Sequence, residues 1–496
     1  AAPKDLYLRG VLPVEHGFET DTIAVISETD MLGDRLARPK KKRRASNFLA
    51  EASALTTGDL VVHLDHGIGR YEGLKTLEIQ QAPHDCLELL YAGDSKLYLP
   101  VENIDLLTRY GSETDGAQLD RLGGAGWQAR KAKAKERLRA MAEGLIHVRL
   151  NHSIGACLDL EKALKDAWKD RPVDLKLLDL HRDLEPDWFQ RADMAGYVFY
   201  IDRFAGTLTA VLDKLDYLEE LGIKYVHFMP CLKPRPGDSD GGYSVMDYRS
   251  INPDYGTLDD FKAVSAQLRA RGISLCIDLV LNHTAKEHEW ALAATQGDAW
   301  AQGLYHMFDS PDLPDAYSKT LVEVFPDNAP GNFTHYPDFG KWVWTTFNEH
   351  QWDLNWANPQ VFLEIVQVMF FLANRGVDVL RLDAVAFMWK RMGTRCQSEP
   401  EVHMILQALR ACSRIVAPAV IHLEEAIVAP AEMLPYLGRG KHDGKEGNLA
   451  YHNSLMVQFW SSLATRDTRL MTHVMATHFP DRLTNATYAT YIRCHD

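Results

Sequence analysis

Residues 376–387 of this chain read GVDVLRLDAVAF. The apolar, β-branched residues of this stretch predict a buried parallel strand whose carboxyl end carries Asp383. In a barrel of alternating strands and helices, catalytic side chains lie at the carboxyl ends of the strands. Arg381 lies two residues before Asp383, so both side chains point to the same face of the strand. This stretch alone fits either a carboxylate nucleophile that a neighbouring cation keeps ionised or a structural Arg–Asp ion pair.

The composition is typical of a globular protein and excludes few functions. Of the 496 residues, 46% are hydrophobic and 25% are charged, which is an ordinary balance. The formal net charge of −14 argues against a general nucleic-acid-binding protein. No apolar run approaches the ~20 residues of a membrane span, so we expect no membrane partner. The seven scattered cysteines are never spaced CxxC, which indicates a cytoplasmic protein without a zinc site or a disulfide framework.

The first ~145 residues are organised unlike the rest of the chain. From Gly58 onwards, short alternating segments separated by turn residues predict a small antiparallel barrel. The preceding basic run PKKKRR (39–44) fits either a solvated linker or a nucleic-acid contact. A glycine-rich hinge, LGGAG (122–126), precedes a predicted basic helix from Trp127 to Leu145.

These residues resemble the CarD-like region with which bacterial transcription-repair coupling factors bind RNA polymerase. The matching stretches are LPVEHGFETD (12–21), NFLAEASALTTGDLVVHLDHGIGRYEGL (47–74), APHDCLELLYAGDSKLYLPVENIDLLTRYGS (82–112) and LGGAGWQARKAKAKERL (122–138). The resemblance implies an SH3/Tudor-like barrel that binds the polymerase β subunit through an exposed strand edge. The alternative is a passive folded appendage. Because the chain contains no GxxxxGK[ST] phosphate loop, we expect no movement along DNA.

After about residue 150, predicted strands alternate with helices of about 11–15 residues, which indicates βα units and a parallel sheet. The predicted strands are KYVHFMP (224–230), SLCIDLVLNH (274–283), VDVLRLDAV (377–385), AVIHLEEAI (419–427) and part of TYATYIRCHD (487–496). A long segment, about residues 284–357, is rich in Trp, Phe, Pro and Asp. Loops of this length are usually functional or form a small subdomain.

Polar residues stand where the predicted strands end: Asp278 and His283, Arg381 and Asp383, Glu424 and Glu425, and His495 and Asp496. Two separated carboxylates with a third acid, histidines and an arginine suit glycoside chemistry, in which one carboxylate attacks the anomeric carbon and the other protonates the leaving oxygen. Aromatic residues would line a sugar pocket, and the long segment supplies Trp342, Trp344, Phe347, Trp352 and Trp356. Each residue alone fits a helix cap, a surface charge or a loop histidine, so the ordered set carries the hypothesis.

Four signatures stand in the order found in the α-amylase-type glycoside hydrolases: DLVLNH (278–283), RLDAVAF (381–387), EEAIV (424–428) and RCHD (493–496). Within that family, about residues 150–496 resemble the amylosucrases. The further matching stretches are DRFAGTL (202–208), KPRPGDSDGGYSVMDYR (233–249), VWTTFNEHQWDLNWANP (343–359) and ATRDTRL (464–470).

The resemblance implies a role for each matching position. Asp383 would be the nucleophile, Glu425 the general acid/base and Asp496 the third, transition-state-stabilising carboxylate, with Glu424 a neighbour without that role. His283, Arg381 and His495 would bind the glucosyl ring by hydrogen bonds. Asp240 and Tyr243 would close the bottom of the sugar pocket, and Phe347 would line its other wall.

The implied reaction is double displacement on sucrose. Fructose leaves, a β-glucosyl–Asp383 ester forms, and the glucosyl group passes to an α-1,4-glucan acceptor or to water. The resemblance implies neither a cofactor nor a metal. Hydrolysis or isomerisation of sucrose would use the same residues, so the acceptor stays open.

We therefore predict an α/β chain with a (β/α) TIM-type barrel that is truncated before its last strand, carries an irregular inserted subdomain and follows a small all-β barrel. The predicted domains are a partial N-terminal segment with the basic linker (1–50), the CarD-like barrel (51–115), a basic helix and junction (116–150), a helical lead-in (151–200), the first part of the barrel (201–283), the insert (284–357) and the rest of the barrel (358–496). Because the family continues beyond the RCHD signature, we expect an open barrel with little or no sucrose turnover.

The junction between the two parts lacks a linker rich in Pro, Gly or Ser, since residues 146–160 read IHVRLNHSIGACLDL. Nothing physical links a polymerase-binding barrel to a sucrose enzyme. A joined gene prediction or assembly artefact and a natural fusion are the two origins, and long-read sequencing across codons 140–160 would decide between them.

Overall fold

The computed structural model describes residues 18–19, 24–25, 55–63, 66–79, 82–111, 119–123, 154–327, 330–438, 442–479, 483 and 485–493. The chain divides into two compact units, residues 1–134 and 135–496. The predicted basic run (39–44) and basic helix (127–145) lie outside the described residues, as do His495 and Asp496.

The first unit contains a five-stranded antiparallel sheet in the order β4-β3-β2-β1-β5. Its strands are β1 (Leu60–His63), β2 (Gly67–Ile79), β3 (Ala82–Tyr91), β4 (Ser95–Pro100) and β5 (Leu107–Gly111), with a 3-10 helix at Val101–Leu106 and a separate pairing of Phe18–Glu19 with Ala24–Val25. Alternate side chains such as Val61, Leu87 and Leu89 point inwards and form the core. Gly69 allows close packing, because a Cβ atom there would lie 2.9 Å from the Tyr91 ring. The predicted small all-β module is confirmed.

The second unit is built on seven parallel strands, each paired with the next one along the chain. They are β6 (Ala195–Phe199), β7 (Ile223–Phe228), β8 (Ser274–Val280), β9 (Val379–Asp383), β10 (Ile421–Glu424), β11 (Leu449–Tyr451) and β12 (Thr487–Ala489). Every residue of β8 and β9 is buried, as expected for parallel strands covered on both faces. The predicted TIM-barrel-type parallel sheet is confirmed, although β6 lies inside the predicted helical lead-in (151–200).

Helices connect the strands. The longer ones are α1 (Ile154–Asp170), α2 (Val173–Leu184), α3 (Leu258–Ala270), α4 (Pro359–Ala373), α5 (Pro400–Val416), α6 (Asn453–Thr465) and α7 (Arg469–His478). Shorter α-helices are Ile201–Phe204, Leu208–Val211, Leu215–Glu220, Glu289–Thr295, Ala299–Gly303, Asp312–Ser318 and Pro430–Met433. Short 3-10 helices are Trp188–Gln190, Leu212–Lys214, Asp240–Gly242, Pro330–Asn332, Val385–Phe387 and Leu434–Leu437. Among the helices described, none combines the length and apolar character that a membrane crossing requires.

Sequence signals explain where several of these helices begin. Thr257 caps α3, since its hydroxyl accepts a hydrogen bond from the Asp260 backbone while the Asp260 carboxylate bonds back to the Thr257 N–H. α4 begins with Pro359, directly after the capping residue Asn358. α4 and α5 pack against α1 and against each other.

The segment predicted as an irregular insert (284–357) is ordered where it is described. It contains a three-stranded antiparallel sheet of Met307–Phe308, Lys341–Trp344 and Phe333–Tyr336. Near its end, Gln351–Asp353 pairs with His283–Ala285, with His283 opposite Asp353. A further hairpin pairs Leu232–Pro234 with Val245–Ile251. The insert therefore returns to the carboxyl end of β8, next to the edge where the predicted site residues stand.

Candidate active site

Arg381 lies at the centre of a buried group of charges at the carboxyl edge of the parallel sheet. Its Nη1 atom lies 2.8 Å from Asp278 Oδ1 and also donates a hydrogen bond to Asp383 Oδ1. The register of β8 and β9 sets Asp278 beside Arg381. The side chains of Arg381 and Asp278 are 5% and 2% exposed. The structure thus brings Arg381 and Asp383 together, as their spacing predicts.

Asp278 has further polar partners that orient it. His227 Nε2 lies 2.9 Å from Asp278 Oδ2, and the Tyr243 hydroxyl donates to Asp278 Oδ1 at 3.4 Å. The guanidinium carbon of Arg381 lies 5.4 Å from the centre of the Tyr243 ring. Tyr243 therefore borders the charged group.

Two opposing effects determine the pKa of the Asp383 carboxyl. Burial raises the pKa of Asp383 to about 6, and the like charges of Asp278 and Asp240 act in the same direction. Arg381 opposes the shift. The sequence predicts that Arg381 lies beside Asp383. It does not predict that burial has a larger effect on the pKa of Asp383 than this cation has. At pH 7 the carboxyl is still mostly ionised, which a nucleophile requires.

Glu425 follows β10 and is held by the backbone that follows Asp383. Its Oε2 atom accepts a hydrogen bond from the Ala384 N–H at 2.8 Å. The Glu425 N–H donates to the Leu382 carbonyl at 3.0 Å. Ala384 has a φ of 53°, so the chain turns sharply directly after Asp383. Asp383 and Glu425 are therefore fixed at neighbouring strand ends by shared backbone contacts.

Glu424 has a different environment from Glu425. Its side chain is completely buried, and neither of its carboxyl oxygens has a hydrogen-bond partner among the described residues. Burial, together with the nearby Glu446, raises the pKa of Glu424 well above its ordinary value. A Cβ atom on Gly447 would lie 2.4 Å from Glu424 Cγ, so the side chain packs tightly inside the protein. Glu424 is thus a buried neighbour of Glu425 in an environment that disfavours its charged form.

Two other predicted sugar-binding residues, Asp240 and Phe347, lie near His283. Burial lowers the pKa of His283, and its Nε2 atom has no partner among the described protein groups. The Phe347 ring centre lies 5.3 Å from that of His283. Asp240, with a φ of 53°, accepts a hydrogen bond from Gln351 Nε2 at 3.1 Å. A neutral buried histidine beside an aromatic ring suits a sugar, which presents hydroxyls and an apolar face.

Three buried polar residues of this region are missed by the motif analysis: His227, Asp353 and Lys390. Lys390 Nζ lies 2.6 Å from Asp353 Oδ2, and both side chains are shielded from solvent. The available signal is local, because Asp353 and Lys390 directly follow Trp352 and Trp389. In the part of the chain that the structure describes, no three His, Cys, Asp or Glu side chains are grouped so that they could hold a metal ion.

Comparisons with known proteins find matches for both parts of the chain. Residues 184–496 match the family model of the α-amylase catalytic domain, and residues 55–111 match that of the CarD-like/TRCF RID domain. The trehalose synthase/amylase TreS of Mycobacterium tuberculosis is 31% identical over 322 residues, which cover 63% of this chain and 52% of that protein. The glucosylglycerate phosphorylase of Spirochaeta thermophila is 35% identical over 266 residues, 52% of this chain and 42% of that protein. The transcription-repair-coupling factor of Rickettsia conorii is 39% identical over 156 residues, 31% of this chain and 14% of that protein.

These matches confirm both families that the motifs predict. The chain spans about half the length of TreS. Several relatives of its catalytic part are named as trehalose synthases or glucosylglycerate phosphorylases, and the narrower amylosucrase resemblance stays a prediction.

Proposed function

Because this chain belongs to the α-amylase family, whose catalytic-domain model matches residues 184–496, we propose that it is a retaining transglucosidase with sucrose as its glucosyl donor. The observation that carries the proposal is the placement of two acids at adjacent strand ends. Asp383 ends β9 beside Arg381, and Glu425 follows β10 with its carboxylate on the Ala384 N–H.

In the proposed mechanism, the Asp383 carboxylate attacks the anomeric carbon while Glu425 protonates the leaving oxygen. The products of this step are the freed leaving sugar and a β-glucosyl–Asp383 ester. Glu425 then takes a proton from an acceptor hydroxyl or from water, which attacks the ester and restores both acids. No cofactor takes part in these steps.

The remaining site residues would bind and orient the glucosyl ring. His283 and Arg381 would donate hydrogen bonds to hydroxyls, Tyr243 and Asp240 would close the pocket, and Phe347 would contact the apolar face. Asp496 as the third carboxylate and His495 as a ring contact lie outside the described residues. Their proposed roles rest on the RCHD signature (493–496).

The choice of sucrose rests on the stretches KPRPGDSDGGYSVMDYR (233–249) and VWTTFNEHQWDLNWANP (343–359), which resemble the amylosucrases. The names of the relatives make trehalose and glucosylglycerate the competing donors. An α-glucan is the proposed acceptor.

The test is to incubate the 496-residue chain, and any longer product of the same gene, with each donor and to measure the released sugar, phosphate dependence and glucan growth. We expect a longer product of the gene to release fructose from sucrose in a reaction that Asp383→Asn abolishes, and the 496-residue chain to release little or none. Turnover of trehalose without turnover of sucrose would replace the proposed donor. No turnover of any donor by either protein would reject the proposal.

A second candidate function belongs to residues 51–115, which we propose bind the β subunit of bacterial RNA polymerase. The match to the CarD-like/TRCF RID model and the edge strands β4 and β5 of the antiparallel sheet favour it. An exposed strand edge can pair with a strand of a partner. Retention of the purified polymerase β subunit on the immobilised chain is expected. Its absence, under conditions in which a transcription-repair coupling factor retains it, would contradict the proposal.

A further inference from the structure

Lys390 and Asp353 form an ion pair that is sealed from solvent beside the residues proposed to bind the sugar. The side chains are 1% and 0% exposed, with Lys390 Nζ 2.6 Å from Asp353 Oδ2. The same Oδ2 accepts a hydrogen bond from Asn282 Nδ2 at 2.9 Å. Asp353 Oδ1 accepts one from the Thr346 N–H at 3.0 Å. Asn282 and Thr346 directly precede His283 and Phe347, so Asp353 holds both segments.

Lys390 ties a third segment to the same point. Its Nζ donates to the Phe387 carbonyl at 2.8 Å and lies 4.8 Å from the centre of the Trp344 ring. The Phe387 ring centre lies 5.3 Å from that of Phe347. The ion pair therefore joins the chain after β8, the end of the insert and the chain after β9, each beside a residue of the proposed pocket wall.

A buried ion pair is an inefficient way to gain stability, because the desolvation of two charges offsets most of their attraction. Its hydrogen bonds are directional, so each of them fixes one chain segment in a single geometry. On the basis of the proposed transglucosidase function, we propose that Lys390 and Asp353 are positioning residues that set His283 and Phe347 against the glucosyl ring. They act through these two residues and do not touch the substrate.

Removing both charges together separates positioning from folding. In Lys390→Met/Asp353→Asn no unpaired charge is buried, so the protein should fold, whereas Asn282 loses its carboxylate acceptor and Phe387 loses the lysine. We expect kcat/KM for the glucosyl donor to fall at least tenfold, because small displacements of orienting groups slow catalysis strongly. A matched control is Arg182→Met/Asp378→Asn. That ion pair of 2.6 Å is also largely buried, but Asp378 lies just before β9, at the opposite end from Asp383. It should change thermal stability and leave kcat/KM within twofold.

A double-mutant cycle with His283→Ala provides a readout that a merely structural role would not move. Removing both charges lowers kcat/KM by one factor in the parent and by another in the His283→Ala background. If the pair acts through His283, the second factor should be at least five times smaller than the first. An unchanged kcat/KM in the folded double variant, or an equal loss in both backgrounds, would overturn the positioning role.

Donor turnover by the parent protein tests the proposed function separately from the positioning role. If the parent turns over no donor, the cycle is repeated with the binding of 1-deoxynojirimycin, a glucose-shaped iminosugar, measured by calorimetry. Weaker binding by the double variant that disappears in the His283→Ala background supports positioning. Unchanged binding, or no binding by the parent, overturns it.

Discussion

The carboxylate of Glu425 accepts a hydrogen bond from the backbone N–H of Ala384, 2.8 Å away. Ala384 directly follows Asp383 and holds a left-handed backbone conformation. The same peptide unit that ends the strand of the proposed nucleophile therefore orients the proposed acid/base. Their relative position is set by the backbone of β9 and β10, which is more rigid than a side-chain contact.

Replacement of Glu425 by Gln should remove proton transfer and retain the hydrogen bond from Ala384, since the amide oxygen is still an acceptor. General acid catalysis is worth about 10²–10⁴-fold, so turnover of sucrose or another disaccharide should fall by at least about 100-fold. Turnover of α-glucosyl fluoride, whose leaving group needs little protonation, should fall much less in the glucosylation step. Equal losses on both substrates in single-turnover experiments would show that Glu425 is not the general acid.

Replacement of Asp383 by Asn should abolish turnover of every donor while the fold remains intact, because the amide cannot attack the anomeric carbon. Asp378→Asn is the matched control on the same chain segment. Asp378 bonds to Arg182 and to the Leu275 N–H, far along the strand from the site. It should lower the melting temperature without lowering kcat. Activity of Asp383→Asn within tenfold of the parent would remove Asp383 from the nucleophile role.

The parallel sheet could be predicted because its strands are apolar runs that end in polar residues. GVDVLRLDAVAF (376–387) predicts β9 and places Asp383 at its carboxyl end, where the structure has it. β6 lies inside the predicted helical lead-in (151–200) because AGYVF (195–199) is short and largely exposed, so it carries little strand signal. The order within the insert was also missed, because its strands are held by distant partners such as Gln351–Asp353 on His283–Ala285 and have little local signal.

The acids and the histidine of the candidate site could be predicted by motif, but their electrostatics could not. Spacing places Arg381 beside Asp383, yet only three-dimensional burial shows that the pKa of Asp383 rises to about 6 despite this cation. The sequence likewise does not show that Glu424 and its neighbour Glu425 have different environments. The difference comes from packing, which buries Glu424 against Gly447 and directs Glu425 to the Ala384 N–H.

The pH dependence of turnover should follow the ionisation of Asp383. Its pKa is raised to about 6 by burial, so the nucleophilic form is lost as pH falls through that value. We expect kcat/KM, which reports the free enzyme, to fall about tenfold per pH unit below pH 6. An acid limb near pH 4, the range of an unperturbed carboxyl, would contradict the assigned environment.

The stability of the parent and of Glu424→Gln should diverge as pH rises. The pKa of Glu424 is raised well above the ordinary glutamate value of ~4.3, so above that pH the unfolded chain is ionised at this position while the folded protein keeps the proton. Unfolding then releases a proton, and the contribution of Glu424 to stability, fully present below about pH 4, decreases as pH increases towards the folded pKa. Glutamine has no such proton. Between the unfolded and folded pKa of Glu424, the free energy of unfolding of the variant should therefore rise relative to that of the parent by up to about 1.4 kcal/mol per pH unit.

Melting temperatures of both proteins from pH 4 to pH 8 measure this difference. The buried amide of Gln adds an offset that does not depend on pH, so the slope of the difference is the result that counts. Because Glu446 is present in both proteins, its own raised pKa largely cancels. The variant should also keep turnover within about threefold of the parent at neutral pH, since the buried Glu424 side chain takes no part in the proposed reaction and glutamine has nearly the same shape. A flat difference between the melting curves would show that Glu424 is ionised in the folded protein, and a loss of turnover as large as that of Glu425→Gln would give Glu424 a part in the chemistry.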